Sequence, residues 1–274
     1  MDNVIKIALK NGYIDDKMQL HVDNFRKNNK YIYNILNQIN DLSYKIANSS
    51  IANSNDLKGV YILTKFHQIH LSYQSFIILY ERGLYEDSKV ILRSLYDKII
   101  DIMFVAKNNE NIYQVLFNEI KEKESLCKYI EDNKLYKYLS KKKIKEAKEE
   151  FENQINDLKD KTNESLKRYS FKNKCKDINN KELYLHYRYN SIYTHNSIQV
   201  QENRIIRNKK DYIIDNNLKF ANITDEIAFL IGIYKYAIKT ICEYLENNDY
   251  YNKFILIESD FCNLLNKNKK NTKK

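Results

Sequence analysis

The chain has 274 residues, a mass of 33.0 kDa and a formal net charge of +10. It contains no proline and only four glycines, so the residues that usually break helices or form hairpin turns are nearly missing. This composition argues against a β-rich fold and predicts an all-α protein that is long enough to bury a substantial core.

The positive charge indicates an anionic partner. Five lysines lie in the last eight residues, KNKKNTKK, and we expect residues 266–274 to form a disordered basic tail. The abundance of Lys, Asn, Ile and Tyr is typical of AT-rich coding sequence. The remaining body of the chain is mildly basic, which is compatible with binding RNA.

The cysteines and the N-terminus indicate the compartment. Cys127, Cys175, Cys242 and Cys262 are far apart and form no CxxC pair, so neither a zinc site nor a disulfide framework is predicted. Residues 1–16 lack the apolar core of a signal peptide. No segment offers the roughly 18 uninterrupted apolar residues of a membrane span. We therefore expect a cytoplasmic protein with no cofactor, no metal and no membrane contact.

Apolar residues recur at helical spacing through most of the chain. The predicted helices, in order, cover residues 16–48, about 56–82, 85–106, 111–133, 141–168, the segment that contains 184–195, and about 222–246. Residues 173–180 are expected to form a loop, and residues 202–217 to be polar and irregular. The second and third helices should form a tight antiparallel hairpin around Gly83.

The domain organisation follows from the absence of a repeat or a linker. We expect one helical domain over residues 1–265, from which a charged helical insertion at about 109–172 protrudes. The segment KKKIKEAKEEFENQINDLKDK has the sparse apolar spacing of a solvated arm or a coiled segment.

One stretch, YLHYRYNSIYTHNSIQV at residues 184–200, combines an arginine and a histidine seven positions apart. On a helix, Arg188 and His195 lie on one side with Cα atoms about 10 Å apart. The polar stripe that contains them consists of Tyr184, Arg188, Ser191 and His195. The neighbouring stripe, Leu185, Tyr189 and Ile192, is expected to pack the helix onto the core.

An arginine and a histidine aimed at one anion suit cleavage of an RNA phosphodiester. Histidine titrates near neutral pH and can accept the proton of a 2′-hydroxyl or protonate the leaving oxygen. Arginine offers a planar fork of donors to the charge that develops at phosphorus, and no metal is needed. The alternative interpretation is that Arg188 and His195 are ordinary surface or structural groups.

The segment RYNSIYTH, from Arg188 to His195, resembles the R-x4-6-H motif of the HEPN superfamily (higher eukaryotes and prokaryotes nucleotide-binding). The resemblance implies an antiparallel helical bundle and a metal-independent endoribonuclease of a toxin–antitoxin or anti-phage defence system. It also implies a homodimer, in which two arginines and two histidines line one cleft, and a partner such as an antitoxin.

A second resemblance is longer. Residues 76–106 are similar to a bacterial family of uncharacterised helical proteins with a glycine turn, an R-S-L-x-E/D segment and a later Ser-x-x-x-His element. Here the turn is at Gly83, the segment runs from Arg93 to Asp97, and the element is Ser191 with His195. This resemblance covers roughly residues 55–107 and 180–240 and implies a HEPN-like bundle.

Two alternatives remain open. Active HEPN motifs usually carry a small polar residue directly after the arginine, whereas this chain has Tyr189 there and Asn190 one step later. A non-catalytic module that binds RNA, a nucleotide or a protein partner is therefore the second hypothesis. His67 and His70 suggest a third, a metal-dependent enzyme, although no third ligand lies at a matching step on the same face.

Arg93 and Asp97 lie four residues apart on an otherwise apolar helix. One interpretation is an intrahelical ion pair that is partly buried. The other is a supporting role, in which Asp97 orients His195 or pairs with Arg188. The predicted catalytic residues are Arg188 and His195, and the predicted supporting residues are Ser191, Asn190, Arg93 and Asp97.

Overall fold

The computed structural model describes residues 16–194, 205–208, 211–214 and 223–271. These residues form ten helices and one two-stranded antiparallel ribbon, which confirms the all-α prediction. In chain order the elements are α1 (Met18–Asn28), α2 (Lys30–Ser49), α3 (Leu57–Glu81), α4 (Tyr85–Lys107), α5 (Asn111–Asp132), α6 (Lys141–Asp160), α7 (Phe171–Asp177), α8 (Lys181–Thr194), β1 (Ile205–Asn208), β2 (Asp211–Ile214), α9 (Ile223–Tyr244) and α10 (Asp249–Asn271). None of the helices in the described ranges is both long and apolar enough to cross a membrane.

Helices α3 and α4 form the predicted antiparallel hairpin. The side chain of Asp56 caps the start of α3 by accepting a hydrogen bond from the Gly59 amide at 2.9 Å. Gly83 follows α3 with a φ of 77°, a left-handed conformation that a side chain would strain. The hairpin therefore turns where the sequence carries one of its few glycines.

Helix α4 lies at the centre of the fold. It packs against α3 along most of its length and also contacts α5, α7, α8 and α9. Helix α10 closes the other side by packing on α2 and α9. The largest side chains with essentially no solvent exposure include three tyrosines, Tyr73, Tyr96 and Tyr234. Tyrosine thus serves as a core residue here, and Tyr73 Oη donates to the Leu36 carbonyl at 2.9 Å.

An ion pair between the half-exposed Arg26 and the buried Glu81 attaches α1 to the hairpin turn. Glu81, whose side chain is 2% exposed, accepts hydrogen bonds from Nε and Nη2 of Arg26, both at 2.9 Å. The hydroxyl of Tyr33 donates to the same carboxylate. The bidentate arginine neutralises the charge of the buried carboxylate. Together with Tyr33 it also provides the carboxylate oxygens with hydrogen bonds that replace those of water.

Several predicted boundaries were wrong. The predicted helix over residues 16–48 is two helices, which meet at Asn29. Residues 173–180 are not a simple loop, because α7 begins at Phe171 after the Ser170 hydroxyl accepts from the Asn173 amide. The final predicted helix is followed by α10, whose helix continues to Asn271. Helix α10 thus includes residues 266–271 of the segment that was predicted to form a basic tail.

Residues 202–217 also differ from the prediction, because they contain strands β1 and β2. The strands are antiparallel, and Ile205 pairs with Ile214 while Ile206 pairs with Ile213. Each strand contains two isoleucines, a residue type that is enriched in strands. Only two residues separate the strands in sequence, which is the spacing of a tight hairpin.

The charged insertion is more than a solvated arm. Helix α6 ends at Asp160, earlier than the predicted boundary at 168. It packs on α5 through a small second core of Phe117, Ile120, Ile155 and Leu158. The apolar residues of α6 are sparse because this helix packs against one neighbouring helix, α5.

Candidate functional site on helices α4 and α8

The buried face of α8 differs from the predicted one. Leu183 and Asn190 are 3% and 4% exposed, whereas Leu185 and Tyr189 are 67% and 52% exposed. The prediction that Leu185 and Tyr189 pack onto the core was therefore wrong. The third member of that stripe, Ile192, has a side chain outside the described residues.

Aromatic contacts fix this orientation of α8. The His186 ring stacks on Tyr96 of α4 with centroids 6.3 Å apart, and it meets Phe229 of α9 edge to face at 5.2 Å. Asn190, one turn later, donates its amide to the His186 carbonyl at 2.9 Å. Asn190 was predicted to support the site, but its amide is buried against its own helix. Since residues two apart on a helix point in roughly opposite directions, Asn190 and Arg188 do not share a face.

Arg93 of α4 holds α8 through two of its nitrogen atoms and pairs within its own helix through the third. Nη2 donates to the Tyr187 hydroxyl at 2.6 Å, and Nε donates to the Ser191 hydroxyl at 3.2 Å. Nη1 pairs with Asp97 at 3.3 Å. The guanidinium carbon also lies 4.8 Å from the centroid of the Tyr187 ring. Arg93 is therefore a clamp between two helices, with its nitrogen atoms engaged by protein groups.

Asp97 is paired with Arg93, as its spacing predicts for an intrahelical ion pair, and not with Arg188. Burial raises the pKa of Asp97, while the nearby Arg93 opposes this shift. The next carboxylate along α4, Asp101, pairs with Lys174 of α7 at 2.6 Å. A row of charged groups thus runs along the side of α4 that faces α7 and α8.

Arg188 is exposed, and its guanidinium forms no hydrogen bond or ion pair with any residue of the described ranges. Ser191, on the other hand, accepts from Arg93 and donates its hydroxyl proton to the Tyr187 carbonyl at 2.8 Å. Of the two arginines near this helix, Arg188 is the one that an external anion can reach. His195, the predicted catalytic partner, lies outside the described residues.

Tyr187 is the contributor that the sequence did not indicate. Its ring stacks on Phe171 of α7 with centroids 3.7 Å apart, and its hydroxyl accepts from Arg93. It belongs to a run of four tyrosines between residues 184 and 193. Nothing in that run distinguishes the tyrosine that meets an arginine 94 residues away in sequence.

The proposed histidine pair on α3 has two different environments. His67 is exposed, whereas His70 is buried and lies 3.3 Å from the Gln74 amide nitrogen. Burial lowers the pKa of His70. Within the described ranges, no group of three or more His, Cys, Asp or Glu residues is arranged to hold a metal ion.

Comparison with known proteins gives one match. No curated protein and no solved structure matches the chain. A family model described as a family of unknown function, DUF5677, matches residues 59–213. The match covers more than half of the 274 residues and includes all of α4 and α8, which carry the site described above. The chain therefore belongs to the DUF5677 family.

Proposed function

We propose that this protein is a metal-independent endoribonuclease of a bacterial toxin–antitoxin or anti-phage defence system. The observation that carries the proposal is the contrast between the two arginines of the site. The donor groups of Arg93 are engaged in fixing α8 to α4, whereas Arg188 projects from α8 with no described partner. A guanidinium on a rigid element, open to solvent, suits the recognition of a phosphate group.

In the proposed reaction the 2′-oxygen of a ribose attacks the adjacent phosphorus and the bond from phosphorus to the 5′-oxygen breaks. The products are a 2′,3′-cyclic phosphate and a 5′-hydroxyl. His195 accepts the proton of the 2′-hydroxyl or protonates the departing 5′-oxygen. Arg188 stabilises the negative charge on the phosphoryl oxygens in the transition state.

We further propose that the active form is a homodimer. Leu185 and Tyr189 flank Arg188 on the exposed side of α8, and both are more than half exposed. Apolar side chains of this size next to a functional arginine support the burial of this face against a second copy. Two copies would supply two arginines and two histidines, so that one histidine acts as base and the other as acid.

The test is cleavage of single-stranded or tRNA-like RNA by the purified protein in EDTA. We expect 2′,3′-cyclic phosphate or 3′-phosphate ends, since attack by the 2′-hydroxyl requires them. His195→Ala and Arg188→Ala should each lower the cleavage rate by about two to four orders of magnitude. Arg188→Ala should keep the wild-type melting temperature, because Arg188 has no described partner to lose.

Lys142→Ala is the matched control, because it also removes one positive charge from an exposed helix position. Its side chain is 88% exposed on α6, in the charged insertion. Cleavage by this variant should equal that of the wild type. Cleavage that disappears in EDTA, or that survives both α8 substitutions, would contradict the proposed chemistry.

The exposed aromatic residue after the arginine favours a second candidate, a non-catalytic module. Tyr189 and Leu185 place an apolar surface around Arg188, which is also suited to binding RNA, a nucleotide or a protein partner. This alternative predicts RNA or partner binding that is weakened by Arg188→Ala and unchanged by His195→Ala, with no cleavage by the wild type.

A further inference from the structure

A cleft of about 520 Å³ lies at the N-terminal end of α8. Its walls come from the start of α3, the ends of α4 and α9, and the α7–α8 connection at Asn179 and Asn180. The volume is in the usual range of roughly 300–1,000 Å³ for small-molecule sites. Asn180 precedes Arg188 by eight residues, which corresponds to about 12 Å along a helix. The cleft is therefore distinct from the α8 surface around Arg188.

Three lysines and one carboxylate line the cleft. Lys239 pairs loosely with that carboxylate, Glu243, at 3.7 Å, and both side chains are more than half exposed. Lys58 donates to the Ala106 carbonyl at 3.0 Å and to the Asn109 side-chain oxygen at 2.8 Å. Lys107 donates to the carbonyl of Asp177.

Among the residues that the structure describes, the ammonium groups of Lys58 and Lys107 thus contact only neutral oxygen atoms directly. The nearest carboxylate to Lys58 in sequence, Asp56, is itself engaged by the Gly59 amide and by the Tyr244 hydroxyl at 2.7 Å. Burial lowers the pKa of Lys58, while the nearby Asp56 opposes this shift. An anion in the cleft would give Lys58 and Lys107 direct ionic contacts that the described residues do not give them.

The cleft also offers neutral groups for the rest of a ligand. Thr240 lines it and is 6% exposed, and within the described ranges no residue forms a hydrogen bond with its hydroxyl. Tyr236 presents a half-buried ring, and Met103 and Ile178 add apolar wall. A bare phosphate would use the lysines but would leave the aromatic and apolar walls without a partner.

We propose that this cleft binds a nucleoside phosphate. Lys58, Lys107 and Lys239 contact the phosphate groups, while Tyr236 and the apolar wall contact the base and the ribose. The site is independent of the proposed nuclease activity, because it uses none of the residues of the α8 surface.

Isothermal titration calorimetry of the full chain with ADP tests the proposal, and adenosine and inorganic phosphate are the comparison ligands. We expect ADP to bind at least about tenfold more tightly than either comparison ligand, which corresponds to about 1.4 kcal/mol. Binding of adenosine as tight as that of ADP would overturn the role of the lysines. Binding of inorganic phosphate as tight as that of ADP would overturn the assignment to a nucleoside.

The decisive comparison uses two double variants with the same change in net charge. Lys107→Glu with Lys239→Glu alters the cleft, whereas Lys142→Glu with Lys145→Glu alters exposed positions on α6. The cleft variant should lose at least about tenfold in ADP affinity, and the α6 variant less than about twofold. An equal loss in both would show that ADP follows the overall charge, and this result would overturn the proposal.

A milder variant keeps the test decisive if the cleft variant melts early. Thr240→Val replaces the hydroxyl by a methyl of similar size and leaves every charge in place. We expect it to weaken ADP binding by about fivefold to tenfold, since one buried hydrogen bond is lost. Unchanged ADP affinity in this variant, or no detectable binding by the wild type at about 1 mM ADP, would also overturn the proposal.

Discussion

Replacing Arg93 by leucine should remove the clamp between α4 and α8. The variant loses the donors to Tyr187 and Ser191 and leaves Asp97 without its cation. Leucine keeps part of the apolar stem, so the change tests mainly the guanidinium. The expected consequence is a less stable protein, because the partly buried carboxylate keeps its desolvation cost and loses its partner.

The size of this loss of stability depends on how deeply Arg93 and Asp97 are buried. Hydrogen bonds of charged groups contribute about 1.5–3 kcal/mol each, and breaking a fully buried ion pair costs about 3–5 kcal/mol. The side chains of Arg93 and Asp97 are 27% and 37% exposed, so water replaces part of what is lost. We therefore expect the free energy of unfolding to fall by about 2 kcal/mol.

The effect should depend on pH with a definite sign. Burial raises the pKa of Asp97 and Arg93 opposes this, so the pKa should rise further in the variant. A carboxylate whose pKa is higher in the folded state stabilises the fold only while it is protonated, and this stabilisation is lost as the pH rises through the folded-state pKa. The difference between wild type and variant should therefore be smaller at about pH 4 than at about pH 7.

Urea titrations at the two pH values measure these differences, and Arg168→Leu is the control. Arg168 is an exposed arginine that donates to the Lys121 carbonyl and the Ser125 hydroxyl, so its loss should cost less than about 0.5 kcal/mol. The cost of Arg93→Leu should shrink in an Asp97→Asn background. A cost below about 0.5 kcal/mol, or one that is the same in both backgrounds and at both pH values, would refute the clamp argument.

Two further predictions concern buried groups. Glu81→Gln should lower the free energy of unfolding by about 2–3 kcal/mol, because the buried carboxylate accepts two hydrogen bonds from Arg26. Urea titration measures this loss. The control Glu149→Gln, at an exposed position, should change the free energy of unfolding little. In the native protein at about pH 8, iodoacetamide should alkylate the exposed Cys262 but not Cys175, whose pKa burial raises to about 12. Peptide mass spectrometry reads this out, and equal labelling of both cysteines would contradict it.

The helical framework could be predicted from local sequence. The chain lacks proline, and Gly83 falls where two helical patterns meet, so the hairpin of α3 and α4 was located to within a residue or two. The ion pair between Arg93 and Asp97 could also be predicted, because a spacing of four places both on one side of a helix. Both features depend on residues that are close in sequence.

The elements that were missed depend on contacts between distant residues. Helix α7 has only seven residues, too few to be stable alone, and its Cys175 is buried against the core. The strands Ile205–Asn208 and Asp211–Ile214 are four residues each and carry no alternation of apolar and polar residues. Neither element has a periodic pattern long enough to be recognised.

For the candidate site, the sequence by itself determined which groups α8 carries, and tertiary structure decided which of them face outward. Leu185 is the more apolar residue by any scale, yet it is exposed, whereas His186 is held between Tyr96 and Phe229. The reason is that α8 partly buries the His186 ring beside Leu183, and the cost of burying an imidazole depends on the partners that α4 and α9 provide. Those partners lie far away in the chain, and only the packed fold brings them into contact.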